Sequence, residues 1–251
     1  RHSRTCTLCL LARDVANLLS TDPAAGAFAP QTIRQRVTWA PAFAATRQQD
    51  VHEAAAMLFQ ACDAIDAEAV QQHPSCRALP LAAFRSSEYR HTTPFNQIFA
   101  NLQRTRITCS ACHSVTERYE RDSYHALSLE KEHLTDVLSL LRDHLAEAPL
   151  DANYACTGRT PEGTCCERKG VSTKRTLVEV WPPVLALSFK RFSFNVRTRR
   201  ADKIHRLIEC PTQLDVTPGV SYYLRAVSFH HGPAFAGHYT ASVRAANGLW
   251  Y

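Results

Sequence analysis

Residues 222–244, YYLRAVSFHHGPAFAGHYTASVR, decide how the rest of the chain is read. Tyr222, Leu224 and Ala226 alternate with Tyr223, Val227 and Phe229, which is the two-residue period of a strand. HHGPAFAG interrupts that period, and Tyr239 to Val243 resumes it as another short strand. His230 then ends the first strand, and His238 opens the next behind Gly237. A histidine held at a strand edge by rigid sheet, beside a loop that admits substrate, suits a general base. The chain has 12 histidines, so it is position and not residue type that singles these two out.

Upstream of this segment, Leu185, Leu187 and Phe189 alternate after the Pro182–Pro183 break and predict another strand. Leu134, Val137, Leu138, Leu141 and Leu145 mark a helix in the middle of the chain. The first third reads helical. Leu8, Leu11, Ala12, Val15, Leu18 and Leu19 fall at helical spacing and stop at Asp22–Pro23. Pro30 to about Trp39 reads ambiguously, with room for one short helix. Val51, Ala55, Leu58, Cys62, Ile65 and Ala69 then step by four and three residues, giving one apolar face. Thr46 and Gln49 form a capping-box pattern before it, and Asp50 and Glu53 occupy its first turn, where acids suit the helix dipole. Helices first and antiparallel strands later predict an α+β fold.

Composition bounds the function classes. At 251 residues, with 45% hydrophobic and 21% charged residues, the chain has room for a genuine core. Disorder, collagen and coiled coil are excluded. No apolar stretch approaches the ~18 residues of a membrane helix, and no secretory pattern opens the chain, so no membrane partner is expected. Eight glycines and neither GxGxxG nor GxxxxGK[ST] argue against a phosphate cradle. Net charge is +6, densest in RTRRADKIHR (Arg197–Arg206). With no aromatic interleaved, that run reads as a solvated loop and not as a nucleic-acid contact.

Ten cysteines without a secretory segment place the chain in a reducing compartment, the cytoplasm and/or the nucleus, where clustered thiols serve metal or catalysis. Cys109 and Cys112, two residues apart, can put both thiolates on one tetrahedral Zn2+. Cys156 followed by Cys165, or by Cys166 as the alternative, supplies the remaining sulfurs at a longer spacing. Unliganded thiols are the competing reading. Cys6 and Cys9, among leucines, read as helix packing; Cys62, Cys76 and Cys210 read as small apolar packing residues. No cysteine stands in a recognisable nucleophile setting.

Taken in order along the chain, these segments resemble the ubiquitin-specific proteases, a family of cysteine deubiquitinases. QQDVHEAAAMLFQACD (Gln48–Asp63) is similar to the family's QQDAHEFL helix. TPFNQIF followed by CSAC resembles the start of its zinc-bearing fingers, and SYHALSLE, the Leu134 helix and NYACTG continue the pattern. PPVLALSFKRF (Pro182–Phe192) is similar to its PxxLxxxLKRF strand; Lys203 and Pro211 match a following lysine and proline. YYLRAVSFHHG, GHYTASVR and LWY resemble its histidine box.

The resemblance implies a papain-like hand, with thumb helices at about 1–90, fingers at about 91–180 and an antiparallel-sheet palm at about 181–251. It implies hydrolysis of isopeptide or peptide bonds at the C-terminus of ubiquitin, with ubiquitin and ubiquitinated proteins as partners and no nucleic acid. His238 would be the general base, and His230, Gly237 and Tyr239 would line the cleft for the substrate's tail. Asp50 and Glu53 would meet arginines of that tail, or would only favour the helix dipole. Cys109, Cys112, Cys156 and Cys165 or Cys166 would hold structural zinc.

The departures from the pattern are equally specific. The family's Gly-Asn-Thr-Cys nucleophile box is not among these residues, and the residue that orients the histidine would follow Tyr251. The second zinc pair is CTGRTPEGTC in place of CxxC. Arg1 without a methionine fits an interior piece of a longer domain, which as given would not catalyse. The rival expectation is a catalytically inactive ubiquitin-binding pseudoprotease.

Overall fold

The computed structural model describes residues 53–57, 98–195, 199–234 and 237–251. Residues 53–57 are helical. The rest of the predicted helix over Val51–Ala69 lies outside the described residues, as do the helix from Leu8, the 30–39 segment, Asp50, Cys6, Cys9, Cys62 and Cys76.

Nine-residue strands β1 (Asn101–Cys109) and β5 (Ser172–Val180) pair antiparallel along their length. With β2 (Val115–Asp122) and the two-residue β4 (Ala148–Pro149) they form a sheet ordered β2-β1-β5-β4. β1 suits a strand because Thr105, Ile107 and Thr108 are β-branched. Its exposed charges also pair across the register: Glu117 on β2 accepts from Arg104 at 3.0 Å and from Arg106 at 2.7 Å.

β3 (His125–Ser128) runs parallel to β6 (Leu187–Lys190), the strand anticipated from Leu187 and Phe189. Helix α1 (Val137–Leu145) packs on this pair and matches the predicted leucine pattern. Asp136 caps it, its carboxylate accepting from the Ser139 amide at 2.9 Å. Those bonds hold the Asp136 carboxyl below its ordinary range. Arg142 and His144 lie in the last turn, the cation-favouring end of the helix dipole.

The core is built here. Leu127, Leu129, Val137, Leu140, Leu141, Ile208 and Leu214 are buried together, with Trp181, Leu187 and Phe189 against them. His125 is also fully buried, and neither ring nitrogen has a hydrogen-bond partner among the described residues. Burial, with the His144 ring 5.4 Å away, pushes its pKa down to about 4.

Three two-stranded hairpins complete the described chain: β7 (Phe192–Asn195) with β8 (Arg200–Lys203), β9 (Gln213–Thr217) with β10 (Val220–Tyr223), and β11 (Ala226–His231) with β12 (His238–Val243). Three sequence expectations need correction. The run from Tyr222 to Phe229 is two strands, because the chain changes partner after Leu224: its amide donates to the Thr212 carbonyl at 2.9 Å in the β9–β10 register, whereas the Arg225 carbonyl accepts from the Arg244 amide at 2.7 Å in the β11–β12 register. The basic run is not simply a solvated loop, because Arg200–Lys203 form β8 and the Arg206 guanidinium donates to the Leu129 carbonyl at 3.0 Å. Cys210 is exposed and not packed, its thiol reaching the Ile208 carbonyl at 3.6 Å. No helix among the described residues is long and apolar enough to cross a membrane.

Candidate active site and cysteine cluster

Two groups of reactive side chains stand apart in chemistry. The first closes the far end of the β1–β5 pair. Cys109 ends β1, and a tight turn brings Cys112 back beside it: the His113 amide donates to the Cys109 carbonyl at 2.9 Å, and the Cys109 amide to the Ser114 carbonyl at 3.1 Å. His113 closes the turn with φ 58°, a left-handed conformation that disfavours most side chains.

The second turn follows the same plan after Cys156. The Cys166 amide donates to the Gly158 carbonyl and the Cys156 amide to the Arg168 carbonyl, both at 2.9 Å, while Glu167 takes φ 49°. The nine residues between these cysteines are absorbed by a small hairpin around Gly163, where the Thr160 amide donates to the Thr164 carbonyl at 2.8 Å. That hairpin is how the irregular CTGRTPEGTC spacing delivers two sulfurs to one place.

The fourth cysteine is Cys166. Cys165, the first choice from sequence, is exposed and outside the cluster, while the alternative is inside it. The physical reason is alternation: neighbours in extended chain project to opposite sides, so only one of two adjacent cysteines can face inward.

Cys109, Cys112, Cys156 and Cys166 have sulfurs all within 4.8 Å of one another. The Cys112–Cys156 separation is 3.7 Å and the Cys109–Cys166 separation 3.9 Å. Tetrahedral zinc with bonds of about 2.3 Å places its sulfurs about 3.8 Å apart, whereas a disulfide needs about 2.05 Å. The donor set therefore fits Zn2+.

The local electrostatics favour thiolate unevenly. The Cys112 amide, with the other amide of the turn, pulls Cys109 down to about 6, and the Ser114 hydroxyl lowers Cys112. At Cys166 the Arg168 amide favours the thiolate, but burial and the neighbouring sulfurs outweigh it and hold the thiol up at about 11. Gly158 lets the two turns meet, since a Cβ there would fall 1.9 Å from the Ser114 hydroxyl and 3.3 Å from the Cys112 sulfur.

The second group is the β11–β12 hairpin. Its register sets His230 opposite Tyr239 and His231 opposite His238. Cross-strand partners share a face, so His230 and His238 project to opposite faces. The His230 ring packs 4.7 Å from Tyr239 and edge-on to Phe192 at 5.0 Å. It also occupies the space over Gly237, where a Cβ would lie 1.7 Å from its Nε2. His238, next in the chain, is exposed. His231, adjacent on its face, shares a 2.9 Å hydrogen bond with the Thr240 hydroxyl.

The structure thus brings His230, Gly237, His238 and Tyr239 together in one hairpin. Glu53 is exposed at the start of residues 53–57, and Asp50 lies outside the described residues. Sequence reasoning missed Phe192 and gave Lys203 no role. The signal available was the family resemblance, in which Phe192 ends PPVLALSFKRF and Lys203 matches a following lysine.

Comparison with known proteins follows the same outline. A family model described as ubiquitin carboxyl-terminal hydrolase matches residues 2–251. Human ubiquitin carboxyl-terminal hydrolase 42 is 31% identical over 171 residues, covering 64% of this chain and 12% of its own. Mouse ubiquitin carboxyl-terminal hydrolase 17-like protein E is 26% identical over 266 aligned positions, covering 100% of this chain and 44% of its own. Among solved structures, the SAGA Ubp8/Sgf11/Sus1/Sgf73 DUB module bound to ubiquitin aldehyde superposes with a TM-score of 0.70 at 18% identity. That match covers 98% of this chain and 53% of the other. The chain therefore spans about half or less of the relatives it matches, and the structural likeness speaks for the fold.

Proposed function

The chain belongs to the ubiquitin carboxyl-terminal hydrolase family, and from that premise we propose that it supplies the fingers, the palm and the general base of a cysteine deubiquitinase. Its reaction is hydrolysis of isopeptide or peptide bonds at the C-terminus of ubiquitin. The observation that carries this reading is the β11–β12 hairpin. It presents His238 exposed at a strand edge and seats His230 against Gly237 beside it. In this chemistry a cysteine thiolate attacks the terminal glycine carbonyl, His238 takes and returns the proton, and water releases the acyl-enzyme. The proposal assigns the nucleophile to a Gly-Asn-Thr-Cys box preceding these 251 residues. It keeps thumb, fingers and palm at about 1–90, 91–180 and 181–251, and Asp50 and Glu53 as acids for the basic tail of ubiquitin.

The Cys109, Cys112, Cys156 and Cys166 thiolates would hold one Zn2+, which crosslinks the two turns at the end of the fingers. Ubiquitin as partner is supported by the solved relative bound to ubiquitin aldehyde. Free thiols at these spacings suit the reducing cytoplasm or nucleus.

The test is turnover of ubiquitin carrying a C-terminal fluorogenic amide by the full-length protein. Turnover is expected, with His238→Ala losing roughly 10³-fold or more of it. An equally active His238→Ala variant rejects His238 as the base. Tight ubiquitin binding with no turnover by the parent identifies the pseudoprotease instead.

A further inference from the structure

Lys203 stands at the end of β8, a hairpin away from the histidines, yet its side chain reaches them. Its ammonium donates to the His230 carbonyl at 2.8 Å and to the Gly232 carbonyl at 3.0 Å. These two carbonyls bracket the point where the chain leaves β11 for the loop that returns at His238. The partner of Lys203 in the β7–β8 register is Phe192, and cross-strand partners project to the same side. Phe192 meets the other end of the same residue, its ring standing edge-on to the His230 imidazole at 5.0 Å and 89°. One register position of one hairpin therefore holds His230 twice, by main chain and by ring.

His230 in turn fills the space over Gly237. A shift of the His230 ring consequently acts on the residue immediately before His238. An ammonium suits this post because it has three donors and no acceptor, so one group can bind two converging carbonyls. A neutral apolar side chain of the same length removes both of these hydrogen bonds and with them the tie between β8 and the end of β11.

We propose that Lys203 is a positioning residue for His238, fixing the turn after β11 through the His230 and Gly232 carbonyls, with Phe192 as its apolar counterpart on the imidazole. The role rests on His238 being the base, and it does not require Lys203 to touch substrate.

The experiment compares Lys203→Met, Lys203→Gln and Lys203→Arg in the full-length protein. Lys203→Met should lower kcat about ten- to a hundredfold with KM within about twofold, as expected when a reacting group is displaced and substrate binding is not. Lys203→Arg, which keeps donors for both carbonyls, should recover most of the loss, and Lys203→Gln should fall between. Unchanged kcat in Lys203→Met, or a rise in KM alone, overturns the proposal. Imidazole NMR of His238 gives a readout separate from turnover. Its ring resonances should shift in Lys203→Met and return in Lys203→Arg, and resonances that stay put in both overturn the proposal. If Lys203→Met does not fold, Lys203→Gln against Lys203→Arg carries the same comparison. If the parent turns over no ubiquitin amide, the deubiquitinase reading fails, and the NMR comparison still decides the role of Lys203.

Discussion

The cysteine cluster and the histidine hairpin solve opposite problems with similar turns. In the cluster, two turns bury three of four sulfurs, and each turn is closed by its own backbone hydrogen bonds. The backbone of each turn is set within a few residues of its own two cysteines. In the hairpin His238 stays exposed, and His230, which fills the space over the preceding Gly237, is held from a different hairpin by Phe192 and Lys203. A structural metal site can be sealed, because nothing needs to enter once the ion is bound. A base, the role proposed for His238, must stay accessible to substrate, so its rigidity has to come from behind.

The contrast can be broken most forcefully at the cysteine cluster. Cys156→Ser should lower zinc affinity by more than about a hundredfold, the upper end of what losing even an outer partner of a ligand costs. Competition with a chromophoric chelator measures it. Hydrogen exchange should then rise at the Cys109–Ser114 turn and stay unchanged in β11–β12. Equal loosening of both regions would mean they are not independent. Zinc affinity should also climb with pH, because the Cys166 proton, held up to about 11 without metal, must leave on binding.

His125 tests the core, which belongs to neither region. Its folded pKa of about 4 lies below the ordinary value of about 6.5, so the unfolded chain binds a proton that the folded chain refuses. Its contribution to stability is complete above pH 6.5 and is lost as pH falls toward 4, by about 3 kcal/mol. Urea unfolding of the parent and His125→Phe at pH 7 and 4.5 should show a shallower pH slope in the variant. Equal slopes would refute a neutral, buried His125.

The two tight glycines separate the regions directly. Gly158→Ala forces the Ser114 side chain aside and should cost about 1–3 kcal/mol and weaken zinc, with His238 chemistry intact. Gly237→Ala should do the reverse, displacing the His230 imidazole and lowering turnover while zinc content stays the same. Paired metal analysis and turnover assays check both. The smallest effect is expected away from either region: Asp136→Ala removes the α1 cap for about 1 kcal/mol, read as a lower urea midpoint with zinc and turnover unaffected.

Much of this arrangement was legible before any coordinates. The leucine spacing found α1, the CSAC turn announced half of the cluster, and the break between His230 and His238 marked the hairpin. The failures share one physical origin. Leu224 alternates correctly for a continuous strand, yet the chain pairs with β9 up to Leu224 and with β12 from Arg225 onward. Arg200 to Lys203 looked like solvated charge because a charge pattern does not show whether a strand partner is available.

Local chemistry, acting over two to five residues, was enough to single out the cysteine pairs, the two histidines and the strands that carry them, since turn spacing and side-chain period are short-range properties; the role of base for His238 came from the family resemblance. Which of two adjacent cysteines joins the cluster, which ring fills the space over Gly237, and which distant ammonium holds the end of β11 were settled only by the packing of segments far apart in the chain. Those choices depend on register and close approach, and a one-residue change of register reverses the face every side chain presents.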